Sequence, residues 1–319
     1  MDDFITSEEF LFNTKVFQKI STENVDAELI LRKSTEIMKN LEILLSFYND
    51  NSDVSRINKN AGKDFVKVSE DTFEIVKKSI YYSKLTNGLF DITIAPLVKM
   101  WGVCSHNPKV ISQENIDKIL PIVDYNDILL DENKLKIMLN KKNQQIDLGG
   151  IAKGYIADLI IDFYKKNHVK SAIINLGGNI KVLGRKNITD LWKVGIYKPI
   201  KHSMDITCSL DIESLSIVTS GIYERAFINN NTLYHHILNP YTGYPAKTDI
   251  ASITIVNKSS LLCDGIATPL LIMGSFKASQ FMKNHNVEGI LITTNNKIII
   301  SKGLLNKFKL HDNCEVLSF

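Results

Sequence analysis

The segment Ile146-Asp147-Leu148-Gly149-Gly150-Ile151-Ala152-Lys153-Gly154-Tyr155 constrains this chain more than any other stretch of similar length. A short apolar strand runs into an acid, two glycines follow, and a lysine stands at the start of a helix. Glycines lack Cβ, so backbone at Gly149 and Gly150 can approach a ligand closely and adopt conformations that other residues avoid. The first amides of a helix beginning near Ala152 point into the turn and favour an anion there. Lys153 adds positive charge. The segment reads as a seat for a phosphate-bearing ligand, with Asp147 placed to accept hydrogen bonds from it. A purely structural turn explains the glycines equally well, and neither G-x-x-x-x-G-K-[ST] nor G-x-G-x-x-G occurs here.

Composition narrows the classes. The 319 residues carry 38 Lys plus Arg against 35 Asp plus Glu, a formal net charge of +3, so no nucleic-acid partner is indicated. Cys104, Cys208, Cys263 and Cys314 are far apart and in no C-x-x-C spacing, which suits small buried hydrophobes better than zinc or redox chemistry. The start, Met1-Asp2-Asp3-Phe4-Ile5-Thr6, is acidic and has no apolar run. No stretch reaches the roughly 18 apolar residues of a membrane span. These features predict a chain without a transmembrane segment, cytoplasmic as written or a trimmed form of an exported protein.

Hydrophobic periodicity predicts a strand over 10–20, a helix from 23 to 47, a loop after the polar cluster 49–53, and a helix over 70–86. Strands follow near 136–147, then a helix over 152–166 and strands at 170–176, 180–184, 192–197, 205–212 and 215–219. A hairpin at 223–239, a strand at 250–256, a helix at 263–284 and a strand pair within 288–301 complete the pattern. Helices and strands interleave without a strict βαβ repeat. The fold class is therefore α+β: a single domain over 1–319 with a mixed, largely antiparallel sheet and flanking helices.

Several further segments carry chemistry. Asp91 stands among apolar neighbours in Gly88-Leu89-Phe90-Asp91-Ile92, either capping a turn or forming an acidic and aromatic wall for a heteroaromatic ligand. Thr219-Ser220-Gly221 offers hydroxyls beside a glycine. His235 and His236 on a strand would face opposite sides, so at most one enters a site. Asp264 and Thr268, four residues apart, fall one turn apart on one face of a helix. Such an oxygen pair can ligate Mg2+; a helix-capping Asp264 is the plainer account.

Taken in order, these segments resemble the FAD:protein FMN transferases, the ApbE-type flavin transferases. The resemblance spans about residues 10 to 300. It rests on Ser46-Phe47-Tyr48, Ser52-Asp53-Val54-Ser55-Arg56-Ile57-Asn58, Gly88-Leu89-Phe90-Asp91 through Trp101-Gly102, and Asp147-Leu148-Gly149-Gly150-Ile151-Ala152-Lys153-Gly154. It continues through Asn175-Leu176-Gly177-Gly178-Asn179, Thr219-Ser220-Gly221-Ile222-Tyr223-Glu224-Arg225, His236-Ile237-Leu238-Asn239-Pro240 and Asp264 to Thr268.

The resemblance implies an ApbE-like, T-fold-like domain that binds FAD and Mg2+ and passes FMN to a Ser or Thr hydroxyl of an acceptor flavoprotein, releasing AMP. It assigns the metal to the Gly150 carbonyl and the Asp264 and Thr268 side chains. It assigns FAD contacts to Phe12, Tyr48, Leu89, Phe90, Asp91, Asp147, Lys153 and Leu238, and the general base to His236. Asn58 and Arg225 are supporting residues. Three positions depart from the family pattern: Asn239 replaces the usual Asp, Phe12-Asn13-Thr14 the usual Met-Gly-Thr, and Pro269 an alanine, so the helix there is expected to start late or bend. Two alternatives keep the same residues: an FAD pyrophosphatase in which water attacks, and a non-catalytic FAD-binding protein.

Overall fold

The computed structural model describes residues 4–23, 25–103 and 108–319; Cys104 and Met1-Asp2-Asp3 lie outside them. The first strands are β1 (Ile5–Leu11), β2 (Thr14–Ser21), β3 (Val66–Lys67), β4 (Ile128–Asp131) and β5 (Lys136–Leu139). Next come β6 (Ser171–Leu176), β7 (Asn179–Leu183), β8 (Trp192–Tyr197), β9 (Ile206–Ile212), β10 (Ser216–Gly221), β11 (Ala226–Asn229) and β12 (Thr232–His235). The last are β13 (Ile250–Asn257), β14 (Glu288–Thr293), β15 (Ile298–Ile300), β16 (Phe308–Leu310) and β17 (Val316–Ser318). The helices are α1 (Ala27–Leu45), α2 (Asp53–Lys59), α3 (Glu70–Leu85), α4 (Ala95–Trp101), α5 (Gln113–Ile119), α6 (Ala152–Lys166), α7 (Ser260–Met273) and α8 (Ser275–Asn284).

The chain gathers into two compact units, the first formed by Met1–Glu42, Ala152–Gly221 and Asp249–Phe319, the second by Ile43–Ile151 and Ile222–Thr248. The first unit holds a nine-stranded sheet in the order β1-β2-β6-β7-β10-β13-β14-β15-β17. Among the described residues, only the β15–β17 pairing within it is parallel. β13 reads Ile-Ala-Ser-Ile-Thr-Ile-Val-Asn, a β-branched run buried at every position but the last, which suits a central strand covered on both faces. Trp192, Val194, Leu210 and Ile212 of β8 and β9 close an apolar core with Val256, Ile290 and Ile298. Helix α7 is apolar nearly all round, as a buried helix must be. Each fully buried Leu or Ile on it contributes roughly 1.5–3 kcal/mol.

The second unit carries a three-stranded sheet, β3-β5-β4, and the β11–β12 hairpin. Its apolar cluster centres on Trp101, with Leu97, Ile111, Ile116 and Leu238 around it. The Trp101 Nε1–H donates to the Gly243 carbonyl at 2.8 Å, giving the buried indole its partner.

The α+β class and the antiparallel sheet agree with the sequence reading, but several boundaries do not. The strand over 10–20 is a hairpin broken at Phe12 and Asn13, whose φ values of 55 and 56 form a two-residue turn. The expected loop after 49–53 contains α2, capped by Ser52, whose Oγ accepts from the Ser55 amide at 2.9 Å. The helix over 263–284 is two helices: Gly274, at φ +82, ends α7 and starts α8. α7 begins early, not late, and stays helical through Pro269, which lacks the amide that would have bonded the Gly265 carbonyl and sets its ring against that carbonyl. Neither α5 nor the terminal strands β16 and β17 are legible in the pattern.

Candidate functional site

In the first unit the site is built on α6 and α7. Three groups at the α7 amino end bond the Asp158 carboxylate of α6: the amides of Ser260 (2.8 Å) and Leu261 (3.1 Å) and the Ser259 hydroxyl (3.0 Å). Lys181 of β7 pairs with the same carboxylate. A buried helix start needs such partners for its free amides. Ser259 supplies another, accepting the Leu262 amide at 3.2 Å. Asp264 therefore does not cap the helix. It is the fifth residue of α7, 6% exposed, and its Oδ2 accepts the Gly154 amide of α6 at 2.8 Å.

Gly154 makes that approach geometrically feasible. A Cβ there would lie 2.5 Å from the Ser260 carbonyl oxygen and 2.9 Å from the Leu261 Cα, both backbone atoms. So one of the early amides of α6, which the sequence suggested would face an anionic ligand, instead faces Asp264. Thr268 follows one turn later on the same helix, its Oγ1 3.5 Å from the Ser220 Oγ of β10.

Burial pushes the Asp264 carboxyl up from its ordinary value. The Lys153 ammonium, the Gly154 amide and the Asn179 side chain oppose the rise, and Asp158 adds to it. An incompletely compensated buried carboxylate one turn from a hydroxyl suits a hard cation, which takes oxygen ligands. Among the described residues no three or more His, Cys, Asp or Glu side chains gather.

In the second unit the glycine turn is organised differently from the expectation. Residues 140–151 form no strand. Asn58 of α2 stands in for one: its Nδ2 donates to the Ile146 carbonyl at 3.0 Å, and its Oδ1 accepts the Ile146 amide at 2.8 Å. The Asp147 amide then bonds the Ile92 carbonyl at 2.9 Å, which brings the 88–92 and 146–150 segments side by side. Asp147 Oδ1 accepts the Gly149 amide at 2.8 Å. Neither Gly149 nor Gly150 has a positive φ. Their use is openness: both are exposed, and a Cβ on Gly150 would touch only the Phe90 ring, at 3.7 Å.

Asp91 takes the capping role. Its Oδ1 accepts the Thr93 amide and hydroxyl, each at 2.7 Å, and its Oδ2 accepts the Tyr125 amide at 3.0 Å. Burial nonetheless pushes its carboxyl up to about 6, with Asp124 adding to the rise and the three bonds opposing it. A carboxyl whose folded pKa exceeds its unfolded value binds protons more tightly when folded, so its ionisation lowers stability as pH rises through that window. Asp91→Asn is therefore expected to gain up to about 3 kcal/mol on wild type as pH rises from 4 to 7, offset by a pH-independent loss because its Nδ2 cannot accept the Tyr125 amide. Urea midpoints of both proteins across that range measure it; a constant difference would refute the titration.

The remaining expected residues are spread over both units. Tyr48 is 75% exposed, its ring edge-on to Phe47, whereas Leu89 is half-buried. Leu238 is a core side chain in the Trp101 cluster, at a bridge to Pro245, so its place is explained by packing. His235 ends β12, buried, with a ring nitrogen 3.1 Å from the Ala246 carbonyl; burial lowers its pKa. His236 lies just past the strand, half-buried, its amide bonded to the Arg225 carbonyl at 3.0 Å. The Asn239 Oδ1 accepts the Tyr241 amide at 2.9 Å and so folds its own turn. In the first unit Phe12 sits at the hairpin tip with its amide on Glu42, and Lys153 is the second residue of α6. Sequence reasoning missed Asp158 and Lys181 and gave Gly154 no role of its own, whereas Ser220 stood out as a hydroxyl beside a glycine. Asp158 left a trace, being an acid amid the apolar run of α6.

A model of the ApbE family matches residues 12–291. The chain is 34% identical over 275 residues to the FAD:protein FMN transferase of Klebsiella pneumoniae (strain 342), covering 86% of this chain and 85% of that one. It is 27% identical to that of Treponema pallidum (strain Nichols), covering 95% and 87%. Its fold matches the ApbE protein of Thermotoga maritima with a TM-score of 0.88 at 28% identity, over 94% of this chain and 98% of the other. The chain belongs to the ApbE family.

Proposed function

We propose that this protein transfers the FMN part of FAD to a Ser or Thr hydroxyl of an acceptor protein and releases AMP. The observation that carries the reading is Asp264, a buried carboxylate held by an obligate glycine one helical turn from Thr268. It occurs in a chain whose relatives bear the name FAD:protein FMN transferase.

On this reading the Gly150 carbonyl, Asp264 and Thr268 would hold Mg2+, which would neutralise charge on the pyrophosphate oxygens. Lys153 adds positive charge from the first turn of α6. Phe90, whose ring faces the open side of Gly150, supplies an apolar wall, with Leu89, Tyr48 and Phe12 as further ligand contacts. Asp91 and Leu238 position the segments that carry those contacts. Asp147, beside Gly149, accepts hydrogen bonds from the ligand. His236 takes the proton of the acceptor hydroxyl as its oxygen bonds to the FMN phosphorus, and the bond to the AMP oxygen breaks.

Incubation with FAD, Mg2+ and an acceptor flavoprotein domain tests the proposal. Flavin fluorescence on the acceptor together with one AMP per flavin is the expected result. AMP and free FMN without labelled acceptor would establish the pyrophosphatase instead, and neither product would leave an FAD-binding protein.

A further inference from the structure

The β11–β12 hairpin has one face accounted for; the other is covered at its base, where His235 is buried against the Ala246 carbonyl, and open at its tip. Phe227 and Tyr234, a cross-strand pair, stack at 5.4 Å, and Tyr234 lies 5.7 Å from Trp101, so this face belongs to the apolar cluster. Ile228 and Leu233 are the next cross-strand pair and so point the opposite way. They are 73% and 49% exposed. An apolar pair left in water on a hairpin tip gains nothing for the fold.

The backbone at this pair is open as well. The His236 amide bonds the Arg225 carbonyl, and in an antiparallel ladder bonded pairs alternate with non-bonded ones. The 225/236, 227/234 and 229/232 pairs are then the bonded ones, and Ile228 and Leu233 direct their N–H and C=O groups outward. Among the described residues β11 and β12 pair only with each other. Asn230 and Asn231, at φ 46 and 58, close the hairpin with a tight turn that keeps both edges straight to the tip. Unpaired edges of this kind accept an added strand.

We propose that the acceptor protein docks here, laying an extended segment along the outer edge of β12 with an apolar side chain over Ile228 and Leu233. The inference rests on the transfer reading. What selects this occupant is chain continuity: His236 follows β12 directly, three residues beyond Leu233. That is about 10 Å of extended chain. A segment in register with Leu233 therefore delivers a hydroxyl a few residues further along to the imidazole. Main-chain pairing supplies affinity without demanding one sequence, and the apolar contact sets the register.

Steady-state transfer to an acceptor domain that the wild-type protein labels tests this, using Ile228→Asp, Leu233→Asp and Leu233→Pro. The proline deletes an outward amide and none of the hairpin's own bonds. Each variant is expected to lose at least tenfold in kcat/KM for the acceptor, through KM. KM for FAD should stay within twofold. Undiminished kcat/KM in the aspartate variants overturns the docking surface, and undiminished kcat/KM in Leu233→Pro overturns strand addition. Absence of labelling by wild type itself would overturn the transfer reading and this inference with it.

Discussion

Asp264→Asn is expected to reduce flavin transfer by about 1,000-fold or more, equivalent to roughly 4 kcal/mol of lost transition-state stabilisation. The substitution keeps size and shape, and asparagine Oδ1 can still accept the Gly154 amide, so the contact between α6 and α7 survives. What disappears is the negative charge. Stability should move the other way. Burial raises the Asp264 pKa, so the ionised carboxylate costs stability once pH exceeds its folded pKa, and the neutral amide escapes that cost. The variant should therefore unfold at a higher temperature than wild type at neutral pH without added metal. Adding Mg2+ should raise Tm for wild type and leave the variant unmoved. Thermal melts with and without Mg2+, read beside AMP release, check all three parts. Transfer within tenfold of wild type would remove Asp264 from the metal site.

Asp158→Ala is expected to be the most destabilising single change outside the apolar core, at about 3–5 kcal/mol, because it leaves a buried charge without its partner. Lys181 is only 7% exposed, and its other bond is to the Lys258 carbonyl at 3.1 Å. The change also strands the Ser260 and Leu261 amides at the start of α7. Combining Asp158→Leu with Lys181→Met removes both charges and should recover part of the loss, leaving the two helix amides as the residual cost. Urea midpoints at constant pH measure both. A loss below about 1 kcal/mol in Asp158→Ala would mean that the pair is screened as a surface ion pair is.

The two changes separate what kind of information the chain carries in the open. Asp264 and Thr268 were legible because their spacing alone puts them on one helical face. The helix over 152–166 and the strands from 170 to 219 were legible because their apolar periodicity is strong and their ends carry glycine or charge. Phe12 and Asn13 were not: an aromatic at positive φ is uncommon, so nothing local announces a turn there. Ile146 to Leu148 reads as a strand because its residues are apolar, yet its hydrogen bonds go to a side chain 88 residues away in sequence, Asn58. Asp91 shows the same limit, since only the position of Tyr125 reveals that both its oxygens are engaged.

By itself the sequence determined the α+β class, the family resemblance, the glycine turn into α6 and the carboxylate–hydroxyl pair of α7. Each is a local pattern, written by the 3.6- and 2-residue periods of backbone geometry and by a few chemically distinctive residues in order. Tertiary structure alone decided that Asp264 is a buried, glycine-held carboxylate and not a helix cap. It also decided that Asp158 and Lys181 anchor that helix, and that Ile228 and Leu233 stand exposed at the tip of the hairpin that precedes His236. Those outcomes depend on which atoms meet across long sequence separations, where burial and hydrogen-bond completion set the energies and no local spacing records the partner.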